Sequence, residues 1–212
     1  MTDSITFYTN PMSRGQIVRW MLEEVGAPYE QVLLDYGTTM KAPEYLAINP
    51  MGKVPAIKHG DHVVTECAAI CAYLAEAFPK AGLAPTPDER ADYYRWLFFA
   101  AGPLEQAIVN TALGFVVPAE REVMAGYGNL EAAAGALAGA VSVHDYVAGD
   151  RFTAADVYIG SQVSWGLEFN TLPKLPAFEA YAARVTDRPA CKRARGIDMA
   201  LIAEAEAQKE ST

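Results

Sequence analysis

Apolar and polar residues near the start of the chain change period twice, which predicts a strand, a helix and a second strand. Residues 5–8 form a short strand-like run. After the Asn10-Pro11 break, Ser13 is a good helix N-cap, and apolar residues then recur at helical spacing until Gly26. Residues 31–34 resume as a strand. A unit of this length implies parallel strands joined by a right-handed crossover.

The next 50 or so residues predict a hairpin and a helix. Two short β-like runs flank Gly60-Asp61, and a helix follows from about Glu66 to Phe78. The predicted order of this first region is therefore βαβ followed by ββα. Residues 80–87 have the composition of a linker. Because prolines stand at positions 79, 85 and 87, neither flanking helix can continue through it.

Beyond the linker, the pattern predicts helices only. Asp88 can cap the first of them, and Thr153 followed by Asp156 nearly matches a capping box. Pro176 and Pro189 are expected to open two more helices, and the Ala/Glu-rich residues 198–212 are expected to fray. We therefore predict an α/β domain over residues 1–79, a linker over 80–87 and an all-α domain over 88–212.

Composition narrows the classes of function. A hydrophobic fraction of 51% and a charged fraction of 20% are ordinary for a globular protein, and the formal net charge is −9. This negative charge argues against nucleic-acid binding and against docking on anionic lipid. No apolar run approaches the roughly 20 residues that a membrane span needs. Three cysteines and three histidines predict neither a disulfide framework nor a metal site, and a cytoplasmic location fits them.

Three short motifs, in order along nearly the whole chain, resemble the cytosolic, bacterial-type glutathione S-transferase family. Residues 49–57 read NPMGKVPAI, residues 65–70 read TECAAI, and residues 152–157 read FTAADV. The resemblance implies a thioredoxin-like N-terminal domain that binds glutathione as co-substrate, without a metal. It also implies an all-helical domain with a pocket for a hydrophobic electrophile, for which the aromatic residues after the linker are candidates: Tyr94, Trp96, Phe98, Phe99, Phe115 and Trp165.

The resemblance also assigns the residues that bind glutathione. Val54 and Pro55 are expected to be joined by a cis peptide, so that the Val54 backbone pairs with glutathione as an added strand. Glu66 and Cys67 open the third helix, where free N–H groups and the helix dipole favour a carboxylate. The family usually has Ser at the position of Cys67, and a thiol is a poorer donor. Lys53 meets the glycyl carboxylate or is a solvated loop lysine.

Two residues are candidates for activating the glutathione thiol. A free thiol with a pKa of about 8.5 is only about 3% ionised at pH 7, and lowering the pKa by about two units makes roughly three-quarters of it thiolate. The resemblance places a Tyr, Ser or Cys for this task at the end of the first strand or the start of the first helix. Ser13 and Tyr8 stand there. Ser13 is the preferred candidate, because its hydroxyl and the helix N-terminus act together.

The resulting hypothesis is a glutathione S-transferase that conjugates glutathione to hydrophobic electrophiles as a homodimer. Two alternatives stay open. One is a glutathione-dependent peroxidase or disulfide reductase, although such members usually have Cys at the activating position. The other is a catalytically silent glutathione-binding scaffold, which the change to Cys67 keeps possible.

Overall fold

Among the residues that the structure describes, all the strands lie in the first third of the chain. The structure is a computed structural model and describes residues 4–210. The strands are β1 Ile5–Thr9, β2 Tyr29–Leu33, β3 Ala56–His59 and β4 His62–Thr65. The helices are α1 Gly15–Val25, α2 Pro43–Leu46, α3 Cys67–Ala77, α4 Arg90–Phe99, α5 Glu105–Ala112, α6 Leu130–Val143, α7 Ala154–Glu168, α8 Pro176–Thr186 and α9 Pro189–Glu210. A π-helical turn, Ala100–Leu104, joins α4 to α5, and short 3-10 turns occupy Thr39–Lys41, Pro79–Ala81 and Ala119–Met124.

The four strands form one mixed sheet in the order β2-β1-β3-β4. β1 runs parallel to β2 and antiparallel to β3, and β3 pairs with β4 as a hairpin. The predicted fold class, a thioredoxin-like βαβ-ββα domain with a helical region after it, is confirmed.

Strand alternation gives the sheet two different faces. Phe7 pairs with Ile57, and the Arg19 guanidinium of α1 lies 5.3 Å from the Phe7 ring centre. Tyr8 pairs with Ala56 on the opposite face. On that face lies a separate cluster of buried side chains, called here the second core cluster, which contains Leu34, Met40, Tyr45 and Ala56. Tyr8, Ile48 and Val54 pack against it. The two candidate elements for thiol activation, β1 and α1, are therefore fixed by buried contacts.

Helix α9 packs along α1, and ion pairs join this end of the chain to α1. Arg19 and Asp198, both almost fully buried, approach to 2.8 Å. Burial raises the pKa of Asp198, and the charge of Arg19 opposes that shift. Arg188 donates two hydrogen bonds of 2.7 Å to Glu24. The expectation of a frayed segment from residue 198 was wrong over the described residues, because α9 continues to Glu210 and buries Asp198.

The described chain divides into two compact units. One comprises the described residues up to Gly82 together with those from Arg188 onward, and the other is Leu83–Asp187. The terminal helix α9 thus belongs by its contacts to the unit that holds the sheet. The division into a domain over residues 1–79, a linker over 80–87 and a domain over 88–212 stays a prediction.

Helix α7 is the buried centre of the second unit. Thr153 and Asp156 form the predicted capping box at its start. The Asp156 carboxylate also accepts hydrogen bonds from the Val147 N–H and the Tyr181 hydroxyl, at 2.9 and 2.8 Å. Asp88 does not cap α4, because the N-cap position is Glu89 and the reciprocal bonds at this end join Glu89 to Thr86.

Candidate functional site

The loop between β1 and α1 holds the Ser13 hydroxyl between two partners. Its oxygen accepts a hydrogen bond from the Gly15 N–H at 2.9 Å, and its proton is donated to the Asn10 carbonyl at 2.6 Å. The prediction that Ser13 is the N-cap was wrong by one residue, because Arg14 occupies that position with helical φ and ψ of −61° and −5°. The preference of serine for helix starts does not by itself distinguish an N-cap from a serine whose hydroxyl accepts a bond from the N–H two residues later, as Ser13 does from Gly15.

Five consecutive carbonyls of this loop each accept a hydrogen bond. The Asn10 carbonyl accepts from the Ser13 hydroxyl, and the Pro11 carbonyl accepts from the Gln16 side-chain amide. The Met12 carbonyl accepts from the Tyr36 hydroxyl. The Ser13 and Arg14 carbonyls accept from the N–H groups of Gln16 and Ile17. A loop whose carbonyls are all bonded has little freedom to move. The position of the Ser13 hydroxyl is therefore determined by its surroundings.

Gly15 allows α1 to start close against the end of β1. A Cβ atom built at Gly15 would lie 2.0 Å from the Thr9 hydroxyl oxygen, which is far inside van der Waals contact. Thr9 is fully buried, so its side chain has no room to move aside. Glycine is thus required here by packing, and nothing in the local pattern of residues indicated it.

The start of α3 lies beside the start of α1. The Cys67 thiol is 3.7 Å from the Arg14 carbonyl oxygen, although 53 residues separate the two in sequence. Glu66 precedes α3 with a positive φ of 66°, a conformation that non-glycine residues adopt at a cost of about 1–3 kcal/mol. Its side chain is exposed. Two helix N-termini, both of which favour negative charge, therefore converge on one place.

The loop before β3 is held through a single carbonyl. The Val54–Pro55 peptide is cis, as predicted. The Tyr45 hydroxyl and the Asn49 amide both donate to the Lys53 carbonyl, at 2.6 and 2.8 Å. No hydrogen bond joins the Val54 N–H or C=O to another described residue. The Val54 backbone is therefore available to pair with an extended peptide.

Two ammonium groups flank this loop. Lys53 is exposed, as a loop lysine that meets a ligand must be. Lys41 donates to the Met51 and Gly52 carbonyls, at 3.0 and 2.8 Å. A Cβ atom at Gly52 would lie 2.7 Å from the Met40 carbonyl and 2.9 Å from the Lys41 ammonium, and φ there is +56°, so glycine is needed. Sequence reasoning missed Lys41, because it lies in another segment and only the fold brings it here.

Tyr8 lies on the other face of β1 from Phe7 and packs against the second core cluster. Its ring centre is 5.5 Å from that of Tyr45. Burial raises the pKa of Tyr45 to about 12, and the hydrogen bond with Asn49 opposes that shift only in part. The structure thus brings Tyr8 near the Lys53 loop, whereas Ser13, Arg14 and Cys67 lie together at the two helix starts.

The aromatic residues expected to line an electrophile pocket differ widely in exposure. Trp96 is 6% exposed and packs edge-on against Phe99. Phe98 and Phe115 are 70% and 64% exposed. Tyr94 and Trp165 are half-buried. Trp96 therefore belongs to the core of its unit, and Phe98 and Phe115 are the side chains most open to an apolar ligand.

Other kinds of site were sought over residues 4–210. None of the helices there combines the length with the apolar character that a membrane span requires. In the same residues, no three His, Cys, Asp or Glu side chains are grouped so that they could hold a metal ion. Cys67, Cys71 and Cys191 are buried free thiols. Burial raises the pKa of Cys71 well above its ordinary value, so Cys71 is not a reactive thiolate at neutral pH.

Similar proteins cover the whole of this site. The family model "Glutathione S-transferase, N-terminal domain" matches residues 3–76. Glutathione S-transferase 3 of Zea mays is 32% identical over 72% of this chain and 73% of its own length. Glutathione S-transferase GST-4.5 of Xanthomonas campestris pv. campestris is 28% identical over 86% and 92%. The glutathione transferase URE2P6 from Phanerochaete chrysosporium, in complex with oxidized glutathione, superposes with a TM-score of 0.78 at 26% identity, covering 93% of this chain and 97% of that one.

Proposed function

Because the chain belongs to the glutathione S-transferase family, we propose that it activates the thiol of glutathione for attack on hydrophobic electrophiles, using Ser13. Glutathione is its co-substrate. The site is formed by the β1–α1 loop, the Val54–Pro55 loop and the start of α3.

Glutathione binds as an extended strand against the Val54 backbone. The γ-glutamyl end meets the start of α3, where Cys67 and the free N–H groups receive its carboxylate and the exposed Glu66 carboxylate receives its ammonium. The glycyl carboxylate lies toward the ammonium groups of Lys53 and Lys41. Opposite charges thus meet at both ends of the tripeptide.

One observation carries the role of Ser13. The contact between Cys67 and Arg14 brings the start of α3 to the start of α1, where the Ser13 hydroxyl stands. A peptide anchored at α3 and at Val54 has its thiol within reach of this hydroxyl. A hydrogen bond to the thiolate and the dipole of α1 both lower the pKa of the thiol. Tyr8 is the second candidate, but its ring packs with Tyr45 in a core cluster.

The test is the pKa of the thiol of bound glutathione in Ser13→Ala and in Tyr8→Phe. The ultraviolet absorbance of the thiolate, followed against pH, reports it directly. We expect Ser13→Ala to raise this pKa toward the free value of about 8.5, and Tyr8→Phe to leave it unchanged. A raised pKa in Tyr8→Phe with an unchanged one in Ser13→Ala would reverse the assignment.

The electrophile that we propose is a small hydrophobic molecule. Turnover of a chloronitroaromatic acceptor, with little reduction of a hydroperoxide, is the expected result. The opposite pattern would favour the peroxidase alternative, and silence in both assays with glutathione bound would favour the scaffold. We place the protein in the cytoplasm, where its three free thiols stay reduced.

A further inference from the structure

Asn10 is the residue around which the β1–α1 loop is built. Its side-chain amide donates to the Leu34 carbonyl just beyond β2, at 2.9 Å. Its side-chain oxygen accepts from the Met12 N–H, also at 2.9 Å. Its main-chain carbonyl accepts the Ser13 hydroxyl at 2.6 Å. One half-buried residue therefore connects the neighbouring strand, the turn of the loop and the hydroxyl that we assign to thiol activation.

We propose that Asn10 is a positioning residue for thiol activation: it fixes the site of the Ser13 hydroxyl, and its carbonyl accepts the hydrogen bond of that hydroxyl until a thiolate becomes the acceptor. The inference rests on the proposed function, in which Ser13 is the donor. Asn10 itself does not touch the sulfur. It acts through the loop: one side-chain hydrogen bond joins the loop to Leu34 at the end of β2, and the other closes the turn at Met12.

The Ser13 hydroxyl can exchange its acceptor without moving its oxygen. The Gly15 N–H holds that oxygen at 2.9 Å, so only the O–H bond has to rotate from the Asn10 carbonyl to the sulfur. A charged acceptor such as a thiolate forms a stronger hydrogen bond than a neutral carbonyl. The Thr9 hydroxyl, 3.5 Å from the same carbonyl, stays beside it as a donor after the exchange. The exchange therefore favours the thiolate over the protonated thiol, and this difference lowers the pKa.

Two substitutions separate the side-chain contacts of Asn10. Asn10→Ala removes both bonds. Asn10→Asp keeps the acceptor for the Met12 N–H, removes the donor to Leu34 and adds a negative charge that disfavours a nearby thiolate. Asn110→Ala is the matched control: Asn110 is also half-buried and also makes one side-chain donation at 2.9 Å, to Tyr127 in the second unit.

The experiment measures the thiolate absorbance of bound glutathione against pH, and the thermal unfolding of each variant. We expect Asn10→Ala and Asn10→Asp to raise the pKa of the bound thiol by about one unit, which is about a tenfold loss of thiolate below that pKa. Turnover should fall in proportion at neutral pH and recover at high pH. Asn110→Ala should lower the unfolding temperature alone.

The outcomes are distinct. If both Asn10 variants lower the unfolding temperature but keep the pKa of wild type, Asn10 only stabilises the loop and the inference is wrong. If Ser13→Ala raises the pKa while the Asn10 variants do not, the inference fails and the proposed function stands. If wild type does not lower the pKa of bound glutathione, the proposed function fails and the inference falls with it. Asn10→Asp, nearly identical in shape, keeps the inference falsifiable if Asn10→Ala does not fold, because both the lost bond to Leu34 and the added charge should raise the pKa, and an unchanged pKa would contradict the inference.

Discussion

The Lys53 carbonyl shows how a single acceptor can prepare a binding edge. Two buried donors, the Tyr45 hydroxyl and the Asn49 amide, converge on it from α2 and from the turn that follows. Their bonds orient the peptide that leads into Val54. Both donors are bonded to the protein's own backbone, so we infer that they act by ordering that backbone before the ligand arrives.

We therefore predict that Tyr45→Phe weakens glutathione binding. One hydrogen bond contributes about 1 kcal/mol. If glutathione must supply that free energy to order the loop, its affinity falls roughly fivefold. Titration calorimetry with glutathione measures the dissociation constant. Tyr127→Phe, a matched change of a buried tyrosine in the second unit, should leave it unchanged. An affinity equal to wild type in Tyr45→Phe would show that Asn49 alone orders the loop.

Helices α1 and α9 are joined by a buried charge pair. Removing one partner leaves the other charge buried and unpaired, which typically costs about 3–5 kcal/mol. The second nitrogen of the Arg19 guanidinium donates to the Tyr29 hydroxyl at 3.1 Å, so Arg19 is fixed even without Asp198. It would then remain in the core rather than turn toward water.

Asp198→Ala should therefore lower the free energy of unfolding by about 3–5 kcal/mol, measured by urea denaturation. Asp92→Ala is the control, because Asp92 pairs with Arg95 at 3.7 Å on the surface, where both side chains are more than half exposed. We expect a change within about 0.5 kcal/mol for it. Equal losses in the two variants would contradict a special role for the buried pair. Replacing Arg19 and Asp198 together by Met and Leu should restore much of the stability.

At the scale of the whole molecule, we predict a two-fold symmetric homodimer. The described chain leaves several large apolar side chains exposed, among them Phe98, Val116, Val123 and Met124. Exposed apolar surface on this scale marks interaction sites in soluble proteins. Light scattering at micromolar concentration should give twice the mass of the chain, because closed two-fold interfaces are the commonest oligomers. The mass of a single chain at that concentration would contradict the prediction.

The sequence by itself determined the order of elements and the three motifs. The alternation and helical spacing of apolar residues depend on neighbours up to four positions away, and this range is what a pattern encodes. The same local rules predicted the capping box at Thr153 and the hairpin at Gly60. The resemblance added the cis bond at Pro55 and the residues at the start of α3.

Only the tertiary structure decided which of these residues meet. Cys67 approaches Arg14 across 53 residues and Arg19 approaches Asp198 across 179, and no local pattern carries such separations. The preference of serine for helix starts predicted Ser13 as the N-cap of α1, but the structure has Arg14 at that position. The hydrogen bond from the Asn10 amide to the Leu34 carbonyl spans 24 residues, so it too lies outside any local pattern. Local conformational preferences depend on a few neighbouring residues, so a short window of sequence is enough to predict them. The geometry of a site depends on packing between elements, which no short window contains.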